Sequence, residues 1–253
     1  MRKIKRPARC AALALCIVFA AVLITGCVSV NFAPGAGGGV TGRGTPERFT
    51  YNVGEITEIH VEMLCNIEYY SAPSDTVTLE IHPNLHEYIS VTESGGVLTV
   101  KTTRTISWSN NNAPVLTVST PALTNVSLAG AGKFTGHDTI TADSFSFVVS
   151  GAVSGSADFD VERLSVNIAG AGEYRMSGKA GKADFLLSGA SSLDALSLQT
   201  RDADVNLSGA GTIKLNCSDN LRVTAAGVGA IEYRGSPSVD ISRGGLVTLK
   251  KLD

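Results

Sequence analysis

The sequence lacks most of the patterns that identify an enzyme or a metalloprotein. Its 253 residues include four histidines and one tryptophan, and neither a G-x-S-x-G nor a C-x-x-C motif occurs. A nucleophile with its base and a cysteine-rich metal site are therefore not predicted. His82 and His86 are spaced as in H-E-x-x-H but lack the Glu, and Pro83 argues against the helix that would bring both rings together. We predict no catalytic residue, no metal site and no cofactor.

Basic residues become scarce once the first 26 residues are set aside. Five of the 21 Lys and Arg lie in that segment, which leaves 16 against 23 Asp and Glu and a formal charge of −7. A basic surface that would attract nucleic acid is therefore missing. We predict that nucleic acid is not a partner.

The amino terminus has the pattern of a signal peptide over residues 1–26. A basic start precedes an apolar run of 13 residues, Ala11 to Leu23, whereas a membrane span needs about 20. The next residues, Ile24-Thr25-Gly26-Cys27, resemble the bacterial lipobox, and this resemblance implies lipidation of Cys27 and cleavage before it. Residues 27–48 are rich in glycine and are predicted to form a flexible tether.

These segments together predict a protein held on a membrane through an N-terminal lipid. Two or three acyl chains hold a protein on a bilayer far better than one. We expect a location in the bacterial cell envelope, either facing outward from the cytoplasmic membrane or in the periplasm or outer membrane.

Few cysteines remain after the predicted lipidation site. Cys65 and Cys217 are the two that follow it. They are predicted either to form a single disulfide in an oxidising compartment or to be two buried thiols, and the sequence leaves both alternatives open.

A small-residue turn recurs six times in the second half of the chain. Its leading glycines are separated by 21, 19, 19, 20 and 18 residues. A fixed period near 20 residues predicts a solenoid in which each repeat is one coil stacked on the last. We attribute the glycines to sharp corners that need positive φ. The leading glycines are Gly130, Gly151, Gly170, Gly189, Gly209 and Gly227.

Apolar residues alternate with polar ones along each repeat, which is typical of strands. We therefore predict an all-β protein that folds as a right-handed single-stranded parallel β-helix with a less regular N-terminal β region, in one domain over residues 49–253. Leu128, Ile168 and Leu207 should lie over one another. The second coil, Ser150 to Gly155, has a displaced second glycine, which predicts a disturbance in stacking there.

Two further groups of residues are candidates for binding or catalysis. Trp108 beside Asn110-Asn111-Asn112 offers one aromatic ring that would stack on a sugar, although local packing is the favoured interpretation. Six aspartates in the coils suggest acid/base or calcium chemistry, but their positions within the coils are predicted not to coincide, which favours solvated rims. These are Asp158, Asp160, Asp184, Asp194, Asp202 and Asp204.

The repeats LSGAG and IAGAG and the segment AAGVGAIEYRGSP, preceded by VSTPALTNVSLAGAG, resemble the putative auto-transporter adhesin head, or GIN, domain family. The resemblance covers about Thr50 to Pro237. It implies a secreted protein or lipoprotein with a β-helical core and no established activity, and it transfers no catalytic residue.

Three hypotheses for function follow from these features. The favoured one is a lipid-anchored, non-catalytic, adhesin-like scaffold that binds a cell-surface glycan or an envelope protein. The second is a carbohydrate-active enzyme, a polysaccharide lyase or hydrolase, on the same fold. The third is self-association through an exposed end of the coil stack, which would make an envelope structural protein.

Overall fold

The computed structural model describes residues 39–108 and 113–253. The predicted signal peptide, Cys27, most of the predicted tether and Asn110-Asn111-Asn112 lie outside the described residues. Among the residues that are described, no helix has the length and apolar character needed to span a bilayer.

The first half of the described chain consists of short strands and one helical turn. The elements are β1 (Val40–Thr41), β2 (Glu47–Tyr51), β3 (Glu58–Glu62), β4 (Cys65–Tyr70), β5 (Thr76–Ile81), α1 (Pro83–His86), β6 (Ile89–Ser94), β7 (Val97–Thr102), β8 (Ile106–Ser107) and β9 (Val115–Ser119).

The second half consists of long strands that bend around successive coils. The elements are β10 (Asn125–Ile168), β11 (Ala171–Leu187), β12 (Ala190–Leu207), β13 (Ala210–Ala225), β14 (Val228–Arg234), β15 (Ser238–Arg243) and β16 (Leu246–Lys251). Each pairs in parallel with a strand of a neighbouring coil, at offsets of 17 to 20 residues, so the predicted parallel β-solenoid is confirmed.

The core consists of inward side chains that lie over one another from coil to coil. Ile168 pairs with Leu187, and Leu187 pairs with Leu207, as the alternation predicts. All three side chains are buried. Alternation places every second residue of a strand inside. Inward stacking also occurs in the N-terminal strands, where Leu128 pairs with Val61.

The glycines are required mainly by the close approach of neighbouring coils. Gly170, Gly189 and Gly209 do not have positive φ. A Cβ on Gly189 would overlap the carbonyl oxygen of Gly170, and a Cβ on Gly209 would overlap that of Gly189. The attribution to positive φ was therefore wrong for these positions, because the constraint is the space between two backbones.

The second coil keeps the offset of 19 residues, but its pairing is interrupted at Val153 and Ser154, where the sequence predicts a disturbance. Ala152 pairs with Ala171 and Gly155 pairs with Tyr174 in the common register. A Cβ on Gly155 would lie against the rings of Tyr174 and Phe147, which pack edge to face with their centroids 6.1 Å apart. Gly155 thus provides the space in which two aromatic rings meet inside the solenoid.

The N-terminal strands continue the two sides of the solenoid and then reverse direction. On one side, β10 pairs with β3, β3 with β7, and β7 in antiparallel fashion with β6. On the other side, β10 pairs with β4, β4 with β9, and the antiparallel strands β5 and β2 follow. Pairing of the backbone begins at Val40, within the segment predicted to be a tether.

The helix α1 begins at Pro83, so the expectation that Pro83 argues against a helix here was wrong. This residue occupies the first turn, where a backbone N–H has no intrahelical partner, so proline does not prevent the helix. Leu85 in α1 is completely buried. The single helical turn therefore contributes to the core at the N-terminal end.

Candidate functional site

Three columns of outward side chains run along one side of the solenoid. We call this side the polar face. It consists of the outward residues of β15 and of the segments stacked in register beneath it in the preceding coils. The columns lie seven, five and three residues before the leading glycine of each coil. They are Arg163, Lys182, Asp202, Asn220 and Ser238; Ser165, Asp184, Asp204, Arg222 and Asp240; and Asn167, Leu186, Asn206, Thr224 and Ser242.

A chain of ion pairs connects the second column with Lys182 of the first. Lys182 Nζ lies 3.1 Å from Asp184 Oδ1 and 2.8 Å from Asp204 Oδ2. Arg222 lies 3.5 Å from Asp204 and 3.8 Å from Asp240. These pairs form one network from Asp184 to Asp240 that spans four successive coils.

Asp184 and Asp204 occupy the same position on adjacent coils. The expectation that the aspartates would not coincide was therefore wrong for this pair. The hydrogen bond from Lys182 lowers the pKa of Asp204 below its ordinary value, and Arg222 lowers it further. Asp204 is ionised at neutral pH and is unsuited to the role of a general acid, which needs a raised pKa.

A shallow groove of about 400 Å³ lies between the second and third columns. Asn167, Asn206 and Thr224 offer amide and hydroxyl groups along one wall, and Asp204 and Arg222 offer charged groups along the other. Leu186 is 38% exposed and supplies an apolar surface within it. This combination of hydrogen-bonding groups around an apolar patch suits a polar ligand with a hydrophobic side.

A second depression of about 340 Å³ lies on the next side of the solenoid. Asp158 there accepts hydrogen bonds of 2.7 Å from Thr139 Oγ1 and 2.8 Å from Ser177 Oγ. Arg175 and Asp194 also line this depression and pair in register. Because the Asp158 carboxylate already accepts these two hydrogen bonds, this depression offers fewer free hydrogen-bonding groups to a ligand than the groove does.

The histidines are distributed among separate contacts. His86 stacks on Phe49 with ring centroids 3.7 Å apart, and its Nε2 lies 2.9 Å from the Tyr51 hydroxyl. His137 stacks on Tyr70 and contacts Glu68. Within the part of the chain that the structure describes, no cluster of three or more His, Cys, Asp or Glu side chains has the arrangement of a metal site.

Trp108 packs against the core, and the two cysteines lie within it. Trp108 is half-buried and packs against the core cluster, which agrees with the interpretation as local packing. Cys65 and Cys217 are buried free thiols, so the alternative of a disulfide between them is wrong. Burial raises the pKa of Cys65 to about 12, which makes it a poor nucleophile.

Inspection of the sequence missed the three columns, although a signal for them exists. Counting back five residues from Gly189, Gly209 and Gly227 gives Asp184, Asp204 and Arg222. The signal is a constant number of residues between the column and the turn glycine, because the residue type itself changes from coil to coil. Strand alternation identifies the inward positions, whereas the outward columns are found by counting from the glycine.

Comparison with known proteins gives one family and several similar folds. The family model described as putative auto-transporter adhesin, head GIN domain, matches residues 55–237. No functionally curated protein matches the chain.

Solved structures with the same fold include proteins from Bacteroides and Parabacteroides. A putative adhesin from Bacteroides fragilis superposes with a TM-score of 0.81 at 22% identity, over 85% of this chain and 100% of that one. A putative lipid binding protein from Parabacteroides distasonis gives a TM-score of 0.66 at 21% identity, over 85% and 99%. A putative adhesin from Parabacteroides merdae gives 0.61 at 18%, over 85% and 99%. These likenesses establish the fold.

Proposed function

The chain belongs to the putative auto-transporter adhesin, head GIN domain family, and from this premise we propose that it is a lipid-anchored, non-catalytic adhesin of the bacterial cell envelope. Its ligand is a cell-surface glycan, which binds in the groove of the polar face. The observation that carries the proposal is the arrangement of amides, hydroxyls and paired charges around exposed Leu186.

Sugars match this groove for a chemical reason. Each sugar hydroxyl both donates and accepts hydrogen bonds, and Asn206 and Arg222 present planar groups with several donors or acceptors. The C–H face of a sugar ring is apolar and suits Leu186. A repeating glycan also suits a surface that repeats every coil, because neighbouring subsites raise the effective concentration for one another.

The binding test uses a glycan array probed with the chain from residue 28 onward. Replacement of Asn206 and Arg222 by Ala should reduce binding to the recognised glycan at least about tenfold, since two to three polar contacts are lost. The matched control replaces Asn66 and Arg201, which lie outside the groove, and should leave binding unchanged. Equal loss in both variants, or binding to envelope proteins without any glycan, would overturn the glycan assignment.

The non-catalytic part of the proposal has its own test. A panel of acidic and neutral polysaccharides is incubated with the protein, and new reducing ends or unsaturated products are measured. We expect none, because the Asp204 carboxylate is paired with Lys182 and held ionised. Product formation that disappears in Asp204→Asn would establish the carbohydrate-active enzyme instead.

The lipid anchor is tested by the variant Cys27→Ser. The lipobox resemblance at Ile24-Thr25-Gly26-Cys27 supports the anchor, and acyl chains contribute about 0.8 kcal/mol of membrane affinity for each buried methylene. The wild-type chain should sediment with membranes, whereas the variant should be released or remain an uncleaved precursor. Processed, membrane-bound Cys27→Ser protein would disprove lipidation at this residue.

A further inference from the structure

At the C-terminal end of the solenoid, two parallel strands have no outer partner among the residues that the structure describes. Within those residues, β15 pairs with β13 alone, and β16 pairs with β14 alone. Nearby apolar side chains are exposed, since Leu246 is 77% and Val239 is 37% accessible. We propose that this end binds the same end of a second copy of the chain, which forms a closed two-fold dimer.

Backbone hydrogen bonding determines which residues of these strands are available. The N–H groups of Gly244, Leu246 and Leu252 bond to the preceding coil. Because alternate residues of a strand point their N–H and C=O groups to opposite edges, the odd-numbered residues face the open edge. These residues are Val239, Ile241 and Arg243 in β15, and Val247, Leu249 and Lys251 in β16.

A two-fold axis near Gly245 would pair β15 of one copy with β16 of the other in antiparallel fashion. Ile241 then lies opposite Leu249 of the second copy, and both are inward residues in line with core columns. The odd-numbered residues of the two strands exchange backbone hydrogen bonds, as hydrogen-bonded pairs of an antiparallel ladder do. The symmetry makes the same contacts twice.

Charge complementarity selects this register. Asp240 becomes the outward neighbour of Lys250 from the second copy, at a non-hydrogen-bonded pair where side chains approach most closely. A shift by two residues would place Asp240 opposite Thr248 and leave Lys250 opposite Ser238. In the selected register no two like charges lie opposite each other along β15 and β16.

Among the described residues, the N-terminal end differs from this one because its last apolar side chains are enclosed. Leu85 and Ile56 are completely buried there, and the outermost strands β2 and β6 are antiparallel to their neighbours. A contact between two C-terminal ends buries exposed apolar side chains on both partners, whereas a head-to-tail contact buries them on one. The proposal is therefore a dimer and not a filament.

The test measures the mass of the chain from residue 28 onward by sedimentation equilibrium and native mass spectrometry over a wide range of concentration. We expect a monomer–dimer equilibrium. Asp240→Lys should weaken dimerisation about tenfold or more through repulsion from Lys250 of the partner copy. The double variant Asp240→Lys with Lys250→Asp should restore it. Asp143→Lys, the same charge change in an exposed residue far from this end, should have no effect.

Each alternative outcome overturns the proposal. A monomer at the highest soluble concentration would show that the end is unoccupied by a second copy. Open-ended assembly would indicate head-to-tail contacts. A dimer that is insensitive to Asp240→Lys, or one that the double variant fails to restore, would place the interface elsewhere. Because both charged side chains are exposed, these variants do not threaten folding.

Discussion

The two ends of the solenoid differ in how the apolar side chains of the outermost strands are covered. At the N-terminal end, antiparallel strands and α1 enclose the last apolar side chains, so that Leu85 is fully buried. At the C-terminal end, the parallel coils stop at β15 and β16, with Leu246 largely exposed. A stack of parallel coils always ends in unpaired backbone, which must be covered or paired. The two ends therefore differ in how far the described residues enclose their own apolar side chains, and this difference motivates the proposed second copy at the C-terminal end.

Residues along the stack also differ in the number of neighbouring coils that constrain them. A residue in the middle of the stack has a coil above and below, whereas one at the open end has a coil on one side only. Three pairs of substitutions test this gradient, each with one member inside the stack or at the covered end and one at the open end.

The largest effect is expected from Gly189→Ala. Its Cβ would overlap the carbonyl oxygen of Gly170, so two coils must separate or shift. We expect a loss of more than about 4 kcal/mol in the free energy of unfolding, measured by urea titration. Gly244→Ala is the open-end control, because its Cβ meets only the Ala225 oxygen at 3.8 Å, and it should change stability by less than about 0.5 kcal/mol. Similar losses in both would mean that close approach does not explain the glycines.

The second effect concerns the apolar residues of the two ends. Leu85→Ala removes a fully buried side chain at the covered end and should cost about 3 kcal/mol, through lost burial and the cavity left behind. Leu246→Ala at the open end should cost less than about 0.5 kcal/mol in dilute protein, where the dimer is absent. Urea unfolding checks both. Equal costs would contradict the idea that only one end is covered by the chain itself.

The inward columns were predictable from sequence because two signals agree on them. Strand alternation assigns Ile168, Leu187 and Leu207 to one side of the backbone, and the glycine period aligns the coils. The columns of the polar face carry no such constraint, since solvent accepts Ser165, Asp184 and Arg222 equally well. They become visible only when the register is known.

The N-terminal covering was less predictable because its pairings are not periodic. The strand β4 pairs with β9, about fifty residues later, and β5 then reverses direction. No local pattern specifies which of several similar alternating runs become neighbours. The helical turn after Pro83 shows the same limit, because a four-residue element depends on the packing of Leu85 more than on propensity.

The smallest effect is expected for acid stability. Lys182 donates to Asp204 and lowers its pKa in the folded state below the ordinary 3.8. A lowered pKa contributes stability that is present above the unfolded value and is lost as pH falls through the folded value. With Asp204 33% exposed, the contribution is screened and should be under about 1 kcal/mol.

The variant Asp204→Asn should therefore be slightly less stable than wild type at pH 7, and the difference should shrink as the pH falls below 3.8, in urea titrations across that range. Asp240→Asn at the open end, where the carboxylate is 84% exposed and 3.8 Å from Arg222, should change stability less at every pH. Direct titration of the Asp204 carboxyl by NMR should give a midpoint below 3.8. A midpoint at or above that value would mean that the ion pairs do not hold the polar face together, and the groove would lose its fixed wall.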